Sequence, residues 1–340
     1  MSVAMNRRAF LLSATASVLL DACAPTVQTE GVPGMDFIGP RFDGEDFVSF
    51  DGARLGLTRW LPDGPPRAAV VALHGMNDYA NAFHFAAPVW VRAGIATYAF
   101  DQRGFGRSPG RGVWGGEALM TRDLRTCVEV VRRLHPDLPV TVVGESMGGA
   151  VAISAFASQQ PPNAHRLALL APAVWGWSSQ PLPYKTALWF TAHLAGEKVI
   201  RPPRWVTDRV RPSDNLDELI AMGRDPLMIW GARNDTLFGL VDLMESAWAG
   251  IGRLQVPTGY FYGANDEIIP SEPSFQAARR LKPSDRSAYY AEGWHLLIRD
   301  RQRERVIADV QSYILDPEAP FPSGPPIIPG APPRRDAAAV

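Results

Sequence analysis

From residue 47 onward the chain alternates short, wholly apolar runs with longer amphipathic stretches, which commits it to a mostly parallel sheet with helices on both faces. A strand buried between two helical layers has no solvent side, so it reads as an unbroken apolar run. Such runs occur at 69–73, 95–100, 140–143, 167–170, 258–262 and 287–291, and residues 47–50 and 55–60 around Asp51-Gly52 read as an opening hairpin. The spacing predicts helices over 80–92, 116–135, 147–158, 272–281 and 299–315. One connection is far longer than a single crossover requires. A helical cap, inserted after the sixth of these strands, is therefore expected over 173–256, leaving 40–172 and 257–315 as the core. Trp175, Trp177, Trp189, Trp205, Trp230 and Trp248 fall in it, over half of the ten tryptophans, and suit either the interior of a small subdomain or a lipophilic pocket.

Both ends differ from this pattern. Residues 1–24 read as an export signal: Arg7-Arg8 precedes the apolar run from Phe10 to Leu20, which Asp21 stops before it is long enough to span a bilayer. Asn6-Arg7-Arg8-Ala9-Phe10-Leu11 resembles a bacterial twin-arginine signal. Leu20-Asp21-Ala22-Cys23 resembles a lipobox in which Cys23 receives lipid, although a small or apolar residue is usual where Asp21 stands. Cleavage after Ala22-Cys23-Ala24 is the competing reading, and Pro25 opposes it. A lipid-anchored protein on the periplasmic side of the cell envelope is thus expected. Residues 316–340, dense in proline and without apolar periodicity, read as a disordered tail.

Composition narrows the chemistry. Lys and Arg total 34 against 35 Asp and Glu, so there is no cationic excess to hold a nucleic acid. With Cys23 lipidated, Cys127 is left alone in a helical pattern as a small buried hydrophobe. No Cys/His spacing suggests a metal, and no cofactor is called for.

Gly-x-Ser-x-Gly occurs twice, around Ser108 and around Ser146. Acyl transfer by serine needs a tight strand-to-helix turn whose next residue donates its N–H to the developing oxyanion. Ser108 is followed by Pro109, which has no N–H, and no apolar strand precedes it. Ser146 follows Val140-Thr141-Val142-Val143 and precedes Gly149-Ala150-Val151-Ala152-Ile153, so it is the candidate nucleophile, with Met147 N–H as one oxyanion donor. The second donor is expected after the strand at 69–73, in Leu73-His74-Gly75-Met76-Asn77-Asp78, from the N–H of Met76. His74 and Asn77 read there as groups that order the loop.

After the insertion a single histidine remains, His295, directly beyond the last strand, where a sheet of this kind places its ligands. In hydrolases with such a serine turn an acid falls between nucleophile and histidine. Asp266, just after the strand at 258–262, has room for one helix and one strand before His295. Asp235 mimics its setting but follows Met228-Ile229-Trp230, read as cap helix, and is second choice.

Leu73-His74-Gly75, the stretch from Phe100-Asp101-Gln102-Arg103 to Ser108, Gly144-Glu145-Ser146-Met147-Gly148-Gly149, Leu170-Ala171-Pro172-Ala173, Gly263-Ala264-Asn265-Asp266 and Gly293-Trp294-His295 together resemble the monoacylglycerol lipase and lysophospholipase branch of the α/β-hydrolases, also labelled serine aminopeptidase-like. The resemblance spans roughly 47–315. It implies an α/β-hydrolase fold, a Ser146–His295–Asp266 triad, an acyl-enzyme, long-chain monoacylglycerols or lysophospholipids as substrates, and a cap that can meet a membrane. Glu145 departs from the histidine or apolar residue commoner beside the nucleophile. Amide or peptide cleavage on the same triad is an alternative, and a non-catalytic envelope binding protein is another that the intact triad argues against.

Overall fold

A computed structural model of the chain describes residues 24–201 and 209–333. Arg7, Arg8, Cys23 and Trp205 lie outside them, as do residues 334–340. Its main sheet has nine strands in the order β1-β2-β3-β5-β4-β6-β7-β10-β11. Arg41–Asp43 (β1), Asp46–Val48 (β2) and Arg54–Trp60 (β3) form an antiparallel edge, and β3 runs antiparallel to β5. Ala68–Leu73 (β4), Ile95–Phe100 (β5), Val140–Glu145 (β6), Arg166–Leu170 (β7), Thr258–Gly263 (β10) and Arg286–Tyr290 (β11) are parallel. All residues of β4, β5, β6 and β10 are buried, as an apolar run between two helical layers requires.

Those layers are built from Ala86–Arg92 (α1), Glu117–Leu134 (α2), Met147–Phe156 (α3), Ser271–Ala278 (α7) and Arg303–Leu315 (α8), with Leu182–Ala195 (α4), Leu216–Arg224 (α5) and Asn234–Gly250 (α6) between β7 and β10. The helix expected over 80–92 is broken into a 3-10 turn at Ala80–Phe83 and α1. The helix expected from 299 begins only at Arg303, because residues 296–300 form a tight turn.

The insertion differs from its expected form in two respects. Met228-Ile229-Trp230 is irregular chain leading into a two-residue strand, Ala232–Arg233 (β9), which pairs antiparallel with Val199–Ile200 (β8). The last helix, α6, packs on α3, with Gly250 against Ile153 and Ala157, and buries Val241, Leu243, Met244 and Ala247. Small residues on the facing side let its end lie close to α3, while it also packs on α4 of the insertion.

The segment after α8 also departs from the reading of it as a disordered tail. Through residue 333 it runs along the edge strand β11: Tyr289 N–H donates to Pro326 O (2.8 Å), Ile328 N–H to Ser287 Oγ (3.2 Å), and Ser323 N–H to Asp309 Oδ1 (2.9 Å). Phe321, Ile328 and Ala331 are buried. Proline cannot donate to a ladder, but its carbonyl accepts, so a proline-rich chain can cover an open edge without becoming a strand. Ile328→Ala is expected to lower the unfolding free energy by about 2–4 kcal/mol in a urea titration. A loss under about 0.5 kcal/mol, the range of a surface change, would mean that this segment is not packed in solution.

Candidate active site

Ser146 occupies the turn between β6 and α3 with φ 52° and ψ −118°, a left-handed conformation that a non-glycine residue adopts at a cost of about 1–3 kcal/mol. Its neighbours hold it there. Ser146 N–H donates to Leu170 O (2.9 Å), and its carbonyl accepts from Ala150 N–H (3.1 Å) and Ala173 N–H (3.0 Å). Gly148 has no room for a side chain, since a Cβ there would lie 2.3 Å from Leu73 O. This is why a serine turn of this kind demands glycine after the nucleophile position.

Sheet register brings the next loop alongside. β4 and β6 are hydrogen-bonded neighbours, with Leu73 opposite Gly144, so the residues beyond each strand emerge together at the carboxyl edge, where the strand order reverses about β4. A methyl built on Gly75 would lie 3.3 Å from Ser146 Cβ, and Met76 comes next. Met147 is the first residue of α3, so its N–H lacks an intrahelical acceptor and sits at the positive end of the helix dipole. His74 is fully buried, and burial lowers its pKa. Its Nε2 accepts from Gln102 N–H (2.8 Å), which leaves the proton on Nδ1 to donate to Gly75 O (2.8 Å). His74 thus orders the loop. Asn77, at φ 64°, accepts Ile229 N–H (3.0 Å) and ties the loop to the insertion.

Asp266 and His295 meet beyond β10 and β11. Asn265 N–H donates to Gly293 O (2.8 Å), joining the two loops, and His295 Nδ1 lies 2.8 Å from Asp266 Oδ2. The other carboxylate oxygen, Oδ1, accepts from Ile268 N–H (2.8 Å) and Ile269 N–H (2.9 Å), so both faces of the acid are fixed. Burial opposes a charge on the His295 ring, but the charge and hydrogen bond of Asp266, with Glu145 behind them, outweigh it and hold the pKa above the usual histidine value. Trp294 N–H donates to Asp300 Oδ2 (2.7 Å), and burial pushes the Asp300 carboxyl up to about 7. Glu145, Leu170, Phe261 and Ala288 stand level across β6, β7, β10 and β11, so the Ser146 and Asp266 loops leave the sheet two strand spacings apart, about 10 Å. Ser146 is 8% exposed and His295 4%.

The rival residues are spent elsewhere. Ser108 Oγ donates to Asp101 O and accepts Gly56 N–H. Asp235, at the start of α6, is held by both nitrogens of the Arg233 fork (2.9 and 2.6 Å). Cys127 is buried, and burial pushes its thiol well up. One group escaped the reading of the sequence: Arg299 makes buried ion pairs with Asp78 (2.7 Å) and with Glu145 (2.8 Å). Nothing in the local pattern separates Arg299 from a surface residue opening a helix.

The insertion helps to line a small cavity of about 100 Å³ between Asp78, Glu218, Met222 and Arg299, and two larger ones. One, about 530 Å³, is lined by Asn77, Arg111, Met228, Trp230 and Thr236 among others. The other, about 390 Å³, lies between Trp177, Trp189 and Phe238. Leu182, Tyr184, Phe190 and Leu194 of α4 are exposed. No helix among the described residues is long and apolar enough to cross a membrane.

A parallel sheet with a strained serine between β6 and α3 and a histidine–carboxylate pair beyond β10 and β11 defines an α/β-hydrolase fold. Comparison with known proteins agrees. The family described as serine aminopeptidase, S33, matches residues 64–302, and the chain belongs to it; it is a serine hydrolase. It is 28% identical over 285 residues to the monoacylglycerol lipase of Mycolicibacterium smegmatis, covering 79% of this chain and 95% of that one. It is 26% identical over 281 residues to the monoglyceride lipase of Rattus norvegicus, covering 82% and 89%. Among solved structures, a soluble variant of the Saccharomyces cerevisiae monoglyceride lipase with a substrate analogue superposes with a TM-score of 0.66 at 19% identity, covering 86% and 97%. A Bacillus coagulans carboxyl esterase superposes with a TM-score of 0.67 at 21% identity, covering 79% and 96%.

Proposed function

We propose that the protein hydrolyses carboxylic esters bearing one long acyl chain, of the monoacylglycerol or lysophospholipid type, through Ser146, His295 and Asp266. The observation that carries the reading is the 2.8 Å Asp266–His295 hydrogen bond at the same sheet edge as the strained Ser146 turn. With Nδ1–H committed to Asp266, His295 Nε2 is free to take the Ser146 proton as Oγ attacks the ester carbonyl. The Met76 and Met147 N–H groups receive the oxyanion. Collapse expels the alcohol, which takes the proton back from His295, and water then repeats the cycle on the acyl-serine. Relatives named as monoacylglycerol and monoglyceride lipases, and the apolar surfaces of the insertion, support the lipid-like acyl group.

Amide cleavage, which the family description suggests, would use the same groups. An aminopeptidase must also hold a substrate ammonium. Of the buried carboxylates near the site, Glu145 and Asp78 are engaged by Arg299 and Asp300 accepts from Ser213 Oγ and Trp294 N–H, which favours the ester reading. A panel of monoacylglycerols, lysophospholipids, short p-nitrophenyl esters and aminoacyl p-nitroanilides tests this. Faster turnover of the anilides than of every ester would overturn it.

Because His295 must be neutral to accept a proton and its pKa is raised, kcat/KM is expected to fall with decreasing pH through a midpoint above 6.5. A midpoint at or below that value would contradict the electrostatic account of the site. The anchor is a separate proposal: Cys23 carries lipid and holds the enzyme on the periplasmic side of the envelope. The intact mass of the mature protein tests it, and an unmodified Cys23 would end it.

A further inference from the structure

Arg299 stands at the far end of the turn that begins at His295, where its own N–H and that of Asp300 both donate to Leu296 O (2.7 and 3.0 Å). Its side chain is 2% exposed and reaches three other chain segments at once: the Asp78 loop, the serine turn and, at Met222 Sδ (3.8 Å), helix α5. Nη1 lies 2.7 Å from Oδ2 of Asp78, in the loop that carries Gly75 and Met76, and Nη2 lies 2.8 Å from Oε2 of Glu145, the residue peptide-bonded to Ser146. A single planar fork therefore spans the oxyanion loop, the serine turn and the histidine turn. Its rigidity fixes the separation of the two carboxylates in a way a flexible ammonium does not.

Stability alone gives a poor reason for this cluster. Apolar residues of similar volume commonly replace a buried ion triad at no cost. Moreover, Glu145 Oε1 and Arg299 Nε have no hydrogen-bond partner among the described residues, so the group is not arranged to satisfy every polar atom. What the arrangement does satisfy is placement: it touches the element next to each reacting group and touches no reacting atom itself.

We propose that Arg299 is a positioning residue, whose simultaneous grip on Asp78 and Glu145 sets the Met76 loop and the Ser146 turn relative to His295. This rests on the Ser146–His295–Asp266 reading above. A misplacement of about 1 Å at such a site costs on the order of 10²-fold in turnover, so the effect belongs in kcat rather than KM. The charged groups facing His295 are Asp266 from the β10 loop, Glu145 from the serine turn, Arg299 and Asp300 from its own turn, and Asp78 through Arg299. Removing the Glu145 charge with Glu145→Gln takes away one carboxylate that favours the imidazolium.

The full chain and its Arg299→Met, Arg299→Lys, Glu145→Gln and Ser146→Ala variants are to be compared on p-nitrophenyl butyrate, with kcat and KM resolved from pH 5 to 9 and thermal unfolding as a check on folding. Arg299→Met is expected to lower kcat about 50- to 100-fold with KM changed less than about threefold. Arg299→Lys should recover part of that loss, and Glu145→Gln should move the acid limb of the profile to lower pH. A folded Arg299→Met with kcat within about threefold of wild type overturns the proposal. If Arg299→Met does not fold, Glu145→Gln decides: an acid limb unmoved within about 0.2 pH unit, with kcat unchanged, overturns it equally. Ser146→Ala keeps the two readings apart, because activity surviving in that variant sinks the triad whatever Arg299 does.

Discussion

Ser146→Ala is expected to reduce kcat for ester hydrolysis by about 10⁵–10⁶-fold, with KM and thermal stability little changed. The magnitude follows from what the hydroxyl does and what survives without it. Alanine can keep the φ of 52° that the turn imposes, because the constraint comes from the Leu170, Ala150 and Ala173 hydrogen bonds and from the lack of space at Gly148, none of which involves Oγ. The Met76 and Met147 N–H groups and the Asp266–His295 pair stay in place. Binding and oxyanion stabilisation alone leave a residual rate of roughly 10³–10⁴ over water, far below turnover by an acyl-enzyme. Loss of less than about 100-fold in a folded variant would mean that another group attacks the ester.

Asp266→Asn is expected to cost about 10⁴-fold in kcat. Ile268 and Ile269 both present N–H groups to Oδ1, so the amide of an asparagine must turn its oxygen toward them. Its NH2 then faces His295 Nδ1, which can only accept. The ring proton is driven to Nε2, the nitrogen that must receive the Ser146 proton, and the base is lost although the geometry is kept. The negative charge that supports the imidazolium disappears as well, so whatever activity remains should have its acid limb at lower pH than wild type. Asp266→Ala, which cannot enforce the wrong tautomer, should be no worse than Asp266→Asn. A loss below tenfold in Asp266→Asn would contradict the role given to Asp266.

How far the sequence carried can be judged element by element. Buried parallel strands announce themselves as apolar runs, and β5 was read to its ends. The serine turn was legible because a strand, two glycines and a helix must follow one another to make it, and Ser108 lacks the strand and is followed by Pro109. β1 was missed because Arg41-Phe42-Asp43 is too short and too polar to show any period. Residues 316–333 were misread because proline masks order when the chain lies against an edge as an acceptor. Where the insertion ends was not legible, since α6 packs on α3 of the core and on α4 of the insertion alike. Arg299 was invisible because its meaning depends on Asp78 and Glu145, which only the fold brings together.

The most direct measurement is fluorophosphonate labelling of the purified protein followed by peptide mapping. A single adduct on Ser146 is expected, formed in parallel with complete loss of ester hydrolysis. An adduct on Ser108 or on any other residue, or hydrolysis that persists once Ser146 is fully modified, would contradict the assignment.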